Sequence, residues 1–421
     1  MNRAVIVICD GLRADLITPE LTPNLHRLGA GGRIFANHRS VFPSTTRTTS
    51  ASIATGCLPA RHGLDGNCVA INEGDGLFAI STGRVDFRDR LRAATGGTLR
   101  VPTLAERLKD SGGSIVYSNV STGAAYFQDP DGYGTVYHRS GSYGPGLTEI
   151  AGPEHLEVSH DAAGDTAMTA RFCQDALRER KPALAVLWQC EPDHTQHSVP
   201  LGSPAHREAI AGADANAAQV AETVDALNEE GEDILLIVAA DHGHETVGQV
   251  IPLETLLIEA GLKDSECSSD VVVASNGFSA AIYVSEAARP RIGALTSFLA
   301  TLDGIDGILT GQELADVGQR ADAALAIAVT TRKTDDENEF GVRGISDAIF
   351  DPFDNTTAPG LGQHGGLGLY EQHPFLFIRG GGFQTGTASQ IESSAIDLAP
   401  TILRHLGVSW EGMDGKPLPP A

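Results

Sequence analysis

Cysteine is scarce: six residues in 421, at positions 9, 57, 68, 173, 190 and 267, and no two of them form a CxxC pair. That scarcity argues against a disulfide frame and against a thiolate metal centre, and fits reduced thiols in a cytoplasm. Basic residues are also few, 30 Lys and Arg against 54 Asp and Glu, for a formal charge of −24. So strong an acidic excess excludes broad electrostatic affinity for a nucleic acid polymer or an anionic membrane. A phosphate-bearing ligand would then need a local positive charge, and metal ions can supply one. No apolar run approaches the ~20 residues of a membrane span. The amino terminus, "MNRAVIVICDGLR", has too short an apolar stretch for a signal peptide and leads straight into what reads as a core strand.

What is present suits a globular chain, with 41% hydrophobic and 20% charged residues. The length fits one large domain with an insertion, or two domains. Apolar runs recur at "AVIVIC", "SIVYS", "ALAVLWQ", "ILLIVAA" and "PFLFIRG". Runs of this kind suit strands covered on both faces, as in a parallel α/β sheet. Between them lie helical patterns, among them "LTPNLHRLGAGG", "VPTLAERLKDSGG", an Ala-rich stretch over 205–229 and the closing "SSAIDLAPTILRHLGV". The expected fold is α/β, with a central mostly parallel sheet flanked by helices. Residues 1–259 and 346–421 would form the core, and 260–345, where the texture changes, a small inserted α+β cap. Residues 119–165, rich in Gly, Tyr, Ser and Asp, are expected to form loops over one face.

Ligands bind at the edge where parallel strands end, so the residues after each run matter. Asp10 follows the first; "CEPDHTQH", with Asp193 and His197, follows the third; "DHGH", with Asp241, His242 and His244, follows the fourth; and "GQHGGLGLYEQH", with His364 and His373, precedes the last. Any one Asp here can simply cap a helix. Three strands delivering Asp, Asp with His, and Asp followed by His suggest a metal centre. Asp193 and His197 can face one ion together if their segment winds into a helical turn. Oxygen and nitrogen donors without thiolate suit zinc, with manganese or iron as alternatives. The stretch "VFPSTTRTTSASIATG" (41–56) holds five threonines and three serines in sixteen positions. A hydroxyl beside divalent ions is a poised nucleophile, because a bound cation lowers the pKa of a coordinated oxygen.

In order and spacing, "VICDGLR", "FPSTTRTTSASIATGCLPARHGLDGN", "EPDHTQH", "ADHG" and "QHGG" resemble the alkaline phosphatase superfamily, and most of all its nucleotide pyrophosphatase/phosphodiesterase branch. "AIDLAPTILRHLGV" followed by "MDGKPL" looks like the same superfamily's C-terminal segment. The resemblance implies a two-zinc phosphodiesterase. Asp10, Thr46, Asp241 and His242 would hold one ion, and Asp193, His197 and His364 the other. Thr46 would be the nucleophile and form a phosphothreonine intermediate, and Asn67 would donate to a phosphoryl oxygen. The substrate would be a small-molecule phosphate diester or phosphonate; the sequence leaves the oligomeric state open.

The sequence also departs from that pattern. Arg47, Thr48 and Thr49 follow Thr46 where the branch usually continues Phe-Pro-Asn. Arg47 could bind an extra charged substrate oxygen, favouring a monoester or phosphonate, or could point to solvent or tie down its loop. "HGGLG" with "YEQ" and "PF" also resembles phosphonoacetate hydrolase, but the lysines expected for a substrate carboxylate are missing from "SNVSTGAAYFQDPDGYG". A phosphonatase, a phosphomonoesterase, a phosphomutase and a non-catalytic metal-dependent binding protein are the alternatives. His62, His194, His244 and His373 lie near the ligand positions as contact or surface residues. Tyr126, Phe127 and Tyr133 could stack on a leaving group or pack their loop, and Glu191 is expected to bond locally.

Overall fold

The computed structural model describes residues 2–321, 324–353 and 357–421; residues 322 and 323 of the expected cap lie outside the described residues. The apolar runs become strands at the middle of one ten-stranded sheet. Asn2–Cys9, buried from Arg3 onward, pairs in parallel with Asp233–Ala239 on one side and Leu184–Gln189 on the other. Ser114–Ser118 and then Thr135–His138 continue the parallel series.

Alternate residues of each central strand face opposite ways, so each strand needs two apolar covers. Val5, Val7 and Cys9 join one cluster with side chains from the helices Pro23–Ala30, Ala162–Phe172 and Pro204–Glu229. Ala4, Ile6 and Ile8 join the other, with Leu104 and Leu108 of Leu104–Leu108 and Leu398, Ile402 and Leu403 of Leu398–Leu406. Burying each such Val, Leu or Ile contributes roughly 1.5–3 kcal/mol, which anchors the strand ends that carry the site.

Two features differ from expectation. Leu376–Arg379, the "PFLFIRG" run, enters antiparallel to Asp233–Ala239, and Arg33–Arg39 follows antiparallel to it. Residues 119–165 are more than loops: besides Thr135–His138 they supply Ser142–Gly144 and Thr148–Ile150, an antiparallel meander that extends the far edge of the sheet. These strands are three or four residues long and interrupted by glycine, too short to show an alternating pattern in sequence.

A separate antiparallel sheet orders Val271–Ser275, Ser279–Val284, Leu325–Thr331 and Ile305–Thr310, backed by the helix Ile292–Leu299. Arg343–Ile349 crosses the boundary expected at 345 and pairs in parallel with Glu245–Ile251. Among the described residues, no helix is long and apolar enough to cross a membrane.

Candidate active site

Asp10 directly follows Asn2–Cys9, Asp241 and His242 follow Asp233–Ala239, and Asp193 opens the single helical turn Asp193–Gln196 beyond Leu184–Gln189. His364 comes just after the short strand Gly362–Gln363. Thr46 is the first residue of the helix Thr46–Thr55. The common edge of the parallel strands therefore collects these six residues, and four of them, Asp10, Thr46, Asp193 and His364, line a cavity of about 310 Å³ together with His197 and Asn67.

The buried carboxylates are held by one oxygen each. Trp188 Nε1 donates to Asp10 Oδ2 at 2.7 Å, and the Gly11 N–H donates to Asp241 Oδ1 at 3.2 Å. The other oxygens, Asp10 Oδ1 and Asp241 Oδ2, are buried with no protein partner among the described residues. Both face His242 Nε2, at 3.6 and 3.2 Å, and Thr46 Oγ1 lies 3.1 Å from the same nitrogen. Nearby, Asp193 Oδ1 lies 3.4 Å from His197 Nε2 and 3.6 Å from His364 Nε2.

Donors about 2.0–2.1 Å from one tetrahedral ion stand about 3.3 Å from each other. The observed separations fall close to that edge length. The ring orientations agree: His242 Nδ1 donates to the Gly243 carbonyl at 3.1 Å and His364 Nδ1 to the Ser44 carbonyl at 2.7 Å. That arrangement turns the unprotonated Nε2 of each ring inward. Burial, then the neighbouring His242 and His244 rings, hold His364 well below the ordinary imidazole range. Burial and the facing Asp241 and Asp193 carboxylates raise Asp10 well above the carboxylate range. Among the described lining residues only Arg47 carries a fixed positive charge. The His/Asp clusters can hold metal, and the orphaned oxygens are where a cation fits.

Arg47 is engaged with its surroundings. Its Nε donates to Ser121 Oγ at 3.0 Å, and its Nη1 to the Asn67 carbonyl at 2.9 Å and Ser81 Oγ at 3.1 Å. Asn67 Oδ1 in turn accepts the Arg47 backbone N–H at 3.2 Å. A residue that sequence reasoning missed holds this corner: Asn276 Oδ1 accepts the N–H groups of Asn67 and Cys68, while its Nδ2 donates to the carbonyls of Cys68 and Ala274. Phe353, half-exposed, also lines the cavity. So do His160 and His194, their rings 4.2 Å apart. No local signal marks Asn276 or Phe353, which reach the site through long-range packing.

The remaining candidates divide. His62 is buried in the core, bonded to Ser52 and the Leu64 N–H. His373 donates to the Leu369 carbonyl, away from the cavity. His244 donates to Asp193 Oδ1 at 2.7 Å. Tyr126 and Phe127 are buried and pack against Tyr143 and Phe87, and Tyr133 stands under Lys109, so none of the three lines the cavity. Glu191 bonds locally, to the N–H and hydroxyl of Thr195, and burial lifts it to about 7.

No curated protein matches the chain. Its structure is similar to murine ectonucleotide pyrophosphatase/phosphodiesterase 5 in an inactive threonine-to-alanine form with AMP, at 18% identity, 99% of this chain, 98% of that one and a TM-score of 0.70. It is also similar to phosphonoacetate hydrolase from Sinorhizobium meliloti 1021 with phosphonoformate, at 18% identity, 96% and 95% coverage and a TM-score of 0.68. At these identities the likeness is one of fold. The type I phosphodiesterase / nucleotide pyrophosphatase family matches residues 4–302, well over half of the chain. The chain therefore belongs to that family, among the metal-dependent hydrolases of phosphoric esters in the alkaline phosphatase superfamily.

Proposed function

We propose that the chain hydrolyses a small-molecule phosphate diester by a nucleotide pyrophosphatase-like reaction, with Thr46 as nucleophile beside two zinc ions. Asp10, Thr46, Asp241 and His242 would hold one ion, and Asp193, His197 and His364 the other. The observation that carries this reading is Thr46 Oγ1, 3.1 Å from the same His242 Nε2 that two buried carboxylate oxygens approach, oxygens with no hydrogen-bond partner among the described residues. Bound there, divalent ions would lower the pKa of the Thr46 hydroxyl and offset negative charge on the attacking and leaving oxygens.

Thr46 Oγ attacks phosphorus, the bond to one ester oxygen breaks, and that group departs as an alcohol once protonated. The other ester group stays on the phosphothreonine. Asn67, its Oδ1 occupied by the Arg47 N–H, turns Nδ2 toward a non-bridging oxygen. Of the backbone N–H groups at the start of Thr46–Thr55, that of Arg47 is taken by Asn67, and the others add to that stabilisation. Water then attacks phosphorus, the bond to Thr46 breaks, and a phosphate monoester leaves. The segment 260–345 caps the cavity in this reading, contributing Ser275, Asn276 and Gly277 to its wall. A cytoplasmic setting is supported by six free thiols.

Arg47 in the cavity wall favours a second reading, a monoesterase or phosphonatase. The diester is preferred because Nε and Nη1 of Arg47 are already bonded to Ser121, Asn67 and Ser81. The test is zinc-loaded and chelated protein assayed against p-nitrophenyl thymidine monophosphate, bis-p-nitrophenyl phosphate, p-nitrophenyl phosphate and phosphonoacetate. The thymidine diester is expected to turn over fastest, and Thr46→Ala to lose turnover while still binding metal. A monoester preference of ~100-fold, ~2.7 kcal/mol of barrier, would reverse the assignment.

A further inference from the structure

Asp193 Oδ1 has three imidazole nitrogens around it, and they are not equivalent. His197 Nε2 and His364 Nε2 stand at 3.4 and 3.6 Å, the spacing of two donors sharing an ion, whereas His244 Nε2 stands at 2.7 Å. The shorter distance is that of a charge-assisted hydrogen bond. His244 lies with Asp193, His242 and His364 in one cluster that could hold an ion, but a proton on its Nε2, donated to the carboxylate, would withdraw that nitrogen from the ligand set.

The site that receives this ring is tightly shaped. His244 is fully buried. A Cβ at residue 11 would stand 2.9 Å from His244 Cδ2 and Nε2, and one at residue 362 would stand 3.0 Å from its Nδ1. Two glycines thus leave a slot as wide as the imidazole. Arg13, also fully buried, donates from Nη1 to the His244 carbonyl at 3.2 Å and fixes the backbone.

We infer that His244 is a positioning residue, which donates to Asp193 Oδ1 and sets the angle at which that carboxylate meets His197 and His364. The inference rests on the two-ion reading above. A carboxylate is a poor ligand when it can rotate, and an N–H fixed on the ligating oxygen removes that freedom. Outer partners of this kind tune metal affinity by about 10–100-fold.

The experiment compares the full chain with His244→Leu, which fills the slot without a donor, and His244→Gln, which restores one. Metal per chain is measured by elemental analysis, and affinity for Zn²⁺ by competition with a chromophoric chelator. Wild type is expected to bind two ions. His244→Leu should weaken one of them by 10–100-fold and leave the other unchanged, and His244→Gln should recover most of the loss. Two ions at wild-type affinity in His244→Leu would overturn the inference while leaving the two-ion site intact. A wild-type chain that binds no ion would overturn the two-ion reading, and the inference with it. Nitrogen NMR of the zinc-loaded wild-type chain serves as a readout that needs no variant. It should show His244 protonated at Nε2 and free of metal, and a metal-bound His244 nitrogen would overturn the assignment.

Discussion

Asn67 Oδ1 accepts the backbone N–H of Arg47 at 3.2 Å, so the residue after the proposed nucleophile orients the amide proposed to receive the phosphoryl oxygen. The two sides of the reaction are set by one hydrogen bond. Asn67→Asp keeps that acceptor but removes the amino group and adds charge. Its kcat on p-nitrophenyl thymidine monophosphate is expected to fall by ~10²–10³-fold, the usual loss for one oxyanion donor. Steady-state kinetics decide it, and a loss below threefold would remove Asn67 from the mechanism.

Asn276 serves four backbone groups with one side chain. Asn276→Ala removes the side-chain partner of all four, and each group left unpaired in this buried place costs about 1–3 kcal/mol. Urea denaturation is expected to show a loss of at least ~3 kcal/mol on that basis. Turnover should fall as well, but by much less in an Asn67→Ala background, because the two residues act in series. A double-mutant cycle measures that coupling; additive effects would separate Asn276 from Asn67.

Arg47→Lys removes the planar fork that reaches Ser121, the Asn67 carbonyl and Ser81. A compact ammonium cannot replace it. Since the fork braces the wall, turnover of p-nitrophenyl phosphate and of the thymidine diester should drop by similar factors. A selective loss on the monoester would mean that Arg47 meets the substrate.

His62 gives an acid-sensitive core. Its Nδ1 accepts the Leu64 N–H at 3.1 Å and its Nε2 bonds Ser52 at 2.9 Å, so the neutral ring is satisfied. Burial holds it down at about 3, against an ordinary value of 6.5. The folded pKa is depressed, so its contribution is complete above pH 6.5 and declines as pH falls toward 3. The decline is about 1.4 kcal/mol per pH unit crossed. His38 and His138 are held down by burial in the same way, so in urea titrations between pH 7 and 4.5 His62→Asn should make the slope shallower than that of the wild-type chain, while lowering stability at pH 8.

Chelation should destabilise the chain. Asp10, Asp193 and Asp241 stand together at the strand ends, and a bound cation would relieve their repulsion. A ligand at ~1,000 times its Kd adds ~4 kcal/mol. The midpoint of thermal unfolding is therefore expected to fall with chelator and return with Zn²⁺; an unchanged midpoint would contradict metal binding by the folded state.

The chemistry was readable in sequence wherever it followed a strand. Asp10, Asp193 and Asp241 trail apolar runs that fold as parallel neighbours, so the end of each run marks the edge where the carboxylates gather. Partners that arrive from afar were hidden. Asn276 meets Asn67 across 209 residues, and its own neighbours look like an ordinary turn. The antiparallel entry of Leu376–Arg379 was equally silent, since apolar residues in a fully covered strand carry no mark of direction. Tyr126 and Phe127 suited both a stacking surface and a packed loop, and burial decided for packing.

The Asn276 clamp constrains how such a chain can be recombined. A chimera that grafts the 260–345 stretch from a relative onto this scaffold would also exchange the peg from which the Asn67 main chain hangs. Grafts must carry both halves of that joint or neither, so new selectivity cannot be traded in as a detachable module.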